Sequence, residues 1–119
     1  MAPVAAGAAA GAFARWAVFA LVDSATGALV VVNLAGTMLL AVVLARQASD
    51  ARGGRPVAWQ LDFAATGFCG ALTTFSTLAV DLAQRLDDGE RLAPTALLVG
   101  LLLAGITLYA GAGRLAGDR

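Results

Sequence analysis

The charges of this chain fall into short clusters and leave four long stretches nearly free of them. Residues 24–45, 63–80 and 92–113 contain no Asp, Glu, Lys or Arg, and residues 1–22 contain only Arg15. A helix needs about 20 apolar residues to cross the hydrocarbon core of a bilayer, so each stretch is long enough for one crossing. Composition agrees: 13% of the residues are charged, where soluble domains carry roughly a quarter. The chain is therefore expected to be an all-α integral membrane protein with four transmembrane helices. Their expected spans are about 4–22, 25–45, 60–82 and 92–113, forming one unit over residues 1–119 with no room for a soluble domain.

The first run is Ala-rich and offers small-residue cleavage patterns, but a signal peptide places positive charge before its apolar core. Here the charge, Arg15, lies inside that core, so a retained helix is expected. Cys69 is the single cysteine and cannot form an intrachain disulfide. With no His and no cysteine pair, zinc or copper has no ligand set. Asp23, Asp62 and Asp81 sit at helix ends, and the interior of the spans holds no carboxylate and no nucleophile paired with a base. An enzyme is not expected, nor is a nucleic-acid partner.

The connections carry the orientation signal. The termini and the segment "RQASDARGGRPVAWQ" share one side and hold Arg46, Arg52, Arg55, Arg114 and Arg119; the other side holds Arg85 and Arg91, beside Asp87, Asp88 and Glu90. Under the positive-inside rule, that bias favours cytoplasmic termini in the cell membrane. The second connection ends in a helix start bearing Pro56, and "QRLDDGERLAP" ends in another bearing Pro94. Gly7 and Gly11, then Thr37, Ala41 and Ala45, recur four apart. Small residues at this spacing let helices approach closely in lipid, and tight packing is their reading here.

Three polar features remain inside the spans. Asn33 lies mid-span in "VVVNLAGTMLL"; a buried amide there must be bonded, either joining two helices or offering its NH2 to a passing anion. Arg15 either snorkels to an interface or draws anions into a water-filled vestibule. The third span is the unusual one. In "GFCGALTTFSTL", residues 67–78, glycines and β-branched threonines make a continuous helix unfavourable. Thr66, Cys69, Thr73, Ser76 and Thr77 fall at helical spacing on one polar face. A break at 70–74 would free backbone carbonyls at membrane depth, which is tolerated only where protein or a bound species satisfies them. Freed carbonyls suit a small cation, while hydroxyls and Asn33 suit an anion. Phe75 lies among them and can turn a positively polarised ring edge toward an anion, although ordinary packing accounts for a single phenylalanine too. A neutral polar lining fits a conduit, since conduction needs binding weak enough to be reversed.

These residues resemble the Fluc/CrcB family of fluoride channels. "GFCGALTTFST" is similar to the family signature GFCGG-TTFSTF, "GAFARW" at 11–16 to its first-helix pattern, and "GALVVVNLAGTMLL" at 27–40 to its second helix. The resemblance implies two subunits packed antiparallel, with two fluoride pathways at their interface. It implies a structural sodium at the dimer centre held by third-helix carbonyls, which would be those of Gly70 and Thr73. Asn33 matches the pore-facing asparagine, Phe75 the first phenylalanine of the lining pair, and Arg15 the vestibule arginine. Thr74, Ser76 and Thr77 are expected hydroxyl donors. The implied function is passive export of cytoplasmic fluoride, which protects the cell.

The sequence also departs from that pattern. Leu78 replaces the second phenylalanine of TTFSTF, Ala28 stands where a threonine is common, and the fourth helix lacks a frequent serine. Dual-topology homodimers keep their arginine balance near even. The bias seen here favours a heterodimer with a homologous subunit of opposite orientation, although substitution within a homodimer would look similar. Two rivals differ in class. A small four-helix multidrug exporter needs a carboxylate embedded in its first helix, and residues 1–22 have none. A non-conducting structural membrane subunit would explain the apolar helices but not the polar, glycine-broken third one.

Overall fold

The computed structural model describes residues 1–53 and 58–117. Helix α1, Ala2–Leu21, starts with proline in its first turn, where the missing N–H is no loss. The chain reverses over residues 22–24, and Ser24 Oγ accepts the Gly27 N–H at 3.1 Å, which caps helix α2, Ala25–Arg52. That helix outruns its expected end near 45. Arg46 ends the uncharged run, but "RQASDAR" holds good helix formers and the helix continues past it. Arg55, Pro56 and Arg119 lie outside the described residues.

The third span has four parts: α3, Ala58–Leu61; a π-helical stretch, Asp62–Cys69; α4, Gly70–Leu72; and, after an extended step, α5, Phe75–Asp87. The wider winding shows at Gly70, whose N–H reaches back five residues to the Ala65 carbonyl. Gly89, at φ +89°, turns the chain toward α6, Leu92–Gly117. Among the described residues, four helical spans are long and apolar enough to cross a membrane: Ala2–Leu21, Ala25–Asp50, Ala58–Asp87 and Leu92–Gly111. The all-helical, four-span expectation holds, broken third helix included.

Packing explains the glycines. Helix α1 lies along the π-helical stretch with the backbones almost touching: a Cβ on Gly67 would stand 2.5 Å from the Val4 carbonyl and 3.0 Å from Gly7 Cα, and one on Gly11 would meet the Phe68 carbonyl. Only glycine fits such a crossing. On the other side α2 packs against α6 and reaches the break, where a Cβ on Gly36 would run into the Thr73 methyl. A core of Leu29, Leu78 and Leu82, flanked by Phe19, Leu97, Leu98 and Leu101, ties α2, α5 and α6 together. Large side chains such as Phe13, Trp16, Leu102 and Ile106 face outward, as they do where lipid is the solvent.

Candidate functional site at the helix break

Helix α4 ends because Thr73 turns extended (φ −76°, ψ 147°), and Thr74 follows at φ −147°, ψ 86° before α5 begins. Both the N–H and the hydroxyl of Thr73 donate to the Cys69 carbonyl, each at 3.0 Å. In a continuous helix the Thr74 N–H would go to the Gly70 carbonyl. Here it donates instead to Asn33 Oδ1, 41 positions away in sequence, at 3.1 Å. Among the described residues, neither the Gly70 nor the Thr73 carbonyl accepts a hydrogen bond. The break therefore sits at the end of the expected 70–74 window, and Asn33 is what diverts the amide that would have closed it.

Asn33 thus joins two helices and keeps a donor in hand. Its Nδ2 gives one hydrogen to the Leu29 carbonyl at 2.8 Å, which leaves the second N–H of the amide. Thr37 donates to the Asn33 carbonyl at 2.8 Å. Beyond the break, Thr74 Oγ1 and Thr77 Oγ1 lie 2.7 Å apart. One hydrogen fills that contact, so the other hydroxyl hydrogen is free to donate elsewhere.

Two cavities meet at this point. One, of about 280 Å³, is lined by Asn33, Gly36, Thr37, Leu40, Ala65, Cys69, Gly70, Thr73 and Phe75. The other, of about 130 Å³, runs toward α6 between Asn33, Thr37 and Phe75 on one side and Leu98, Leu101 and Leu102 on the other. Among the described residues, no charged side chain lines either one. The sequence singled out Asn33, Gly70, Thr73 and Phe75, and the fold brings them together. It missed the lining roles of Gly36, Thr37, Ala65 and Cys69; Gly36 and Thr37 stand three and four residues beyond Asn33, on the same helix face.

The remaining residues are placed differently. Phe75 is exposed at 66% and Gly70 is exposed too, so the site opens on the outer surface of the chain. Ser76 is exposed and does not line either cavity. Thr74 is buried and held by Thr77. Leu78, read from the sequence as a missing ring of the lining, is 3% exposed in the core and borders only the smaller cavity. Arg15 is half-buried on α1, forms no ion pair among the described residues and does not line either cavity. The single polar face expected along the third span is split: Cys69 is buried while Thr66 and Ser76 are exposed. The π-helical winding and the break each change the phase that the 3.6-residue period assumed.

The donor set also bears on a resident cation. Among the described residues there is no group of three or more His, Cys, Asp or Glu side chains able to hold a metal. The carbonyls of Gly70 and Thr73, left without amide partners beside an open cavity, are hard neutral oxygen donors of the kind an alkali cation takes. The residues fit the ion, and two carbonyls are too few to complete its shell.

Residues 2–113 match the family described as CrcB-like protein, camphor resistance (CrcB). The chain belongs to the CrcB family. Its relatives include a fluoride-specific ion channel FluC 2 of Natronomonas pharaonis, 40% identical over 103 residues, covering 87% of this chain and 82% of that one. A fluoride-specific ion channel FluC of Prosthecochloris aestuarii is 37% identical over 113 residues, 91% of this chain and 86% of that one. Another from Cupriavidus necator is 41% identical over 86 residues, covering 71% and 68% respectively. The resemblance carried by the third-span motif is thereby confirmed, and the relatives' names describe channels, not enzymes.

Proposed function

We propose that this CrcB-family chain is a subunit of a fluoride channel that lets cytoplasmic fluoride leave passively across the cell membrane. The observation that carries the reading is the neutral cavity at the helix break, lined by Asn33, Thr37, Thr73 and Phe75 among others and by no charged residue among those described. Fluoride is small and accepts hydrogen bonds strongly. Neutral donors compensate its lost hydration without holding it as a fixed cation would, which permits release as well as binding. The second N–H of the Asn33 amide supplies a hydrogen inside the cavity. The spare hydroxyl hydrogen of the Thr74–Thr77 pair offers one beyond the break, outside the cavity lining, and Phe75 supplies a positively polarised ring edge. Arg15 draws the anion toward the mouth from outside the lining.

One subunit leaves this site open, with Gly70 and Phe75 exposed. A second subunit packed antiparallel closes it, and the carbonyls of Gly70 and Thr73 from each partner hold a structural sodium between them. When bound, that ion supplies a fixed positive charge at the dimer centre. The termini face the cytoplasm, as the arginine bias favours. That bias and Leu78 together favour a partner that is homologous and oppositely oriented, over a second copy of this chain.

The test is fluoride efflux from liposomes, with the purified chain alone and then with its most similar homologue from the same genome. Efflux that appears only with the homologue supports the heterodimer. Efflux from the chain alone supports the channel and rejects the obligate partner.

A further inference from the structure

Helix α5 carries Phe75, Ser76 and Thr77, yet only Leu78 and Leu82 of its side chains are buried. Its first residues are pinned to α2 by the Thr74–Asn33 hydrogen bond. A rod pinned at one end can still pivot and turn. The far end carries a closed polar ring that the pathway does not use. Arg85 Nε donates to Asp81 Oδ2 at 3.1 Å and an Arg85 Nη donates to Thr26 Oγ1 at 2.6 Å. Thr26 Oγ1 in turn donates to Asp81 Oδ2 at 3.1 Å. The other arm of Arg85 reaches Glu90 at 3.4 Å, in the turn before α6. Three side chains thus satisfy one another in a triangle that bridges the first turn of α2 to the last turns of α5.

Building on the fluoride-channel reading, we infer that Thr26, Asp81 and Arg85 are positioning residues: their ring fixes the tilt and rotation of α5 and so the placement of Phe75 in the pathway. Thr74, Leu78, Asp81 and Arg85 are spaced four, three and four apart, so both pins and one of the two core contacts fall on one face of α5. Arg85 lies ten residues beyond Phe75, ~15 Å along the helix. A turn of roughly 20° about the axis would carry a side chain ~6 Å from that axis through about 2 Å. That displacement decides whether a ring edge meets a desolvated anion. An ion pair alone would fix less: the planar guanidinium is what lets one side chain bind a carboxylate, a hydroxyl and Glu90 together.

The test uses Thr26→Val, which keeps the side-chain shape and removes both hydroxyl contacts. Purified variants in liposomes are read for fluoride and chloride efflux with ion-selective electrodes. We expect the chloride-to-fluoride ratio to rise about tenfold in Thr26→Val, the equivalent of one lost hydrogen bond, and to return in Thr26→Ser. Arg85→Lys, which keeps the pair with Asp81 but lacks the fork, raises the ratio as well. Lower total flux at an unchanged ratio would mean that the ring only braces the fold, and would overturn the inference. If Thr26→Val yields no folded protein, Arg85→Lys decides between the same two outcomes. If the unmodified chain passes no fluoride, alone or with its homologue, the channel reading fails and the ring is tested by distance instead. Spin labels at exposed Val31 and Val80 should give one narrow distance that Thr26→Val broadens, and an unchanged distribution would reject the positioning role.

Discussion

Replacing Asn33 with leucine removes the acceptor used by the Thr74 N–H while preserving most of the side-chain volume. Hydrogen bonds between helices in bilayers are worth about 0.6 kcal/mol on average and at most ~1.7. Thr74 is only 8% exposed, so an N–H left without an acceptor there adds a desolvation cost of about 1–3 kcal/mol. Together these come to roughly 2 kcal/mol, a shift of about 30-fold in the population holding the present break. The chain has one way to relax. Thr73 and Thr74 can return to helical angles so that the Thr74 N–H reaches the Gly70 carbonyl, which closes the break and withdraws that carbonyl from any cation. Asn33→Leu should therefore cut fluoride efflux from liposomes by at least tenfold, alongside a lower melting temperature in detergent. Asn33→Asp keeps an acceptor for Thr74 but has no amide hydrogens to offer an anion; it should lose efflux while melting closer to the unmodified protein. Asn33→Leu with full efflux and unchanged melting would refute the role assigned to the Thr74–Asn33 bond.

Three further substitutions probe other parts of the account. Gly67→Val puts a side chain against the backbone of Val4 and Gly7, neither of which can give way; it should cost about 3 kcal/mol or more and sharply reduce the yield of folded protein on size-exclusion chromatography. Thr77→Val breaks the 2.7 Å contact with buried Thr74 and should lower efflux about tenfold while costing about 1 kcal/mol of stability. Leu78→Phe can extend into the neighbouring cavity of about 130 Å³, so it should cost less than about 1.5 kcal/mol, and its ring edge should raise the fluoride efflux rate. A fall in efflux from folded Leu78→Phe would contradict the view that this position lacks a useful ring.

The four spans were legible because charge is excluded from hydrocarbon, so uncharged runs mark the crossings. The extent of α2 was not: Arg46 ends the uncharged run, whereas a helix ends only where its hydrogen bonds or propensities fail. The break at Thr73–Thr74 was legible from clustered glycine and β-branched threonine. Its cause was not, because the Asn33 bond joins residues 41 positions apart, and the sequence shows only that Asn33 needs a partner. The π-helical turns over Asp62–Cys69 left no compositional mark, and they account for the split of the expected polar face. The burial of Leu78 was not legible for a related reason. A motif position says which residue type is missing, while its burial against Leu29 and Leu82 depends on how α5 is rotated.

Fluoride efflux from liposomes containing the purified chain, read with a fluoride electrode against a chloride control, tests the central claim most directly. Fluoride should leave the vesicles, from this chain alone or with its homologue, while chloride stays inside. Vesicles that retain fluoride in both preparations, with folded protein in the bilayer, would contradict the assignment of this site as a fluoride pathway.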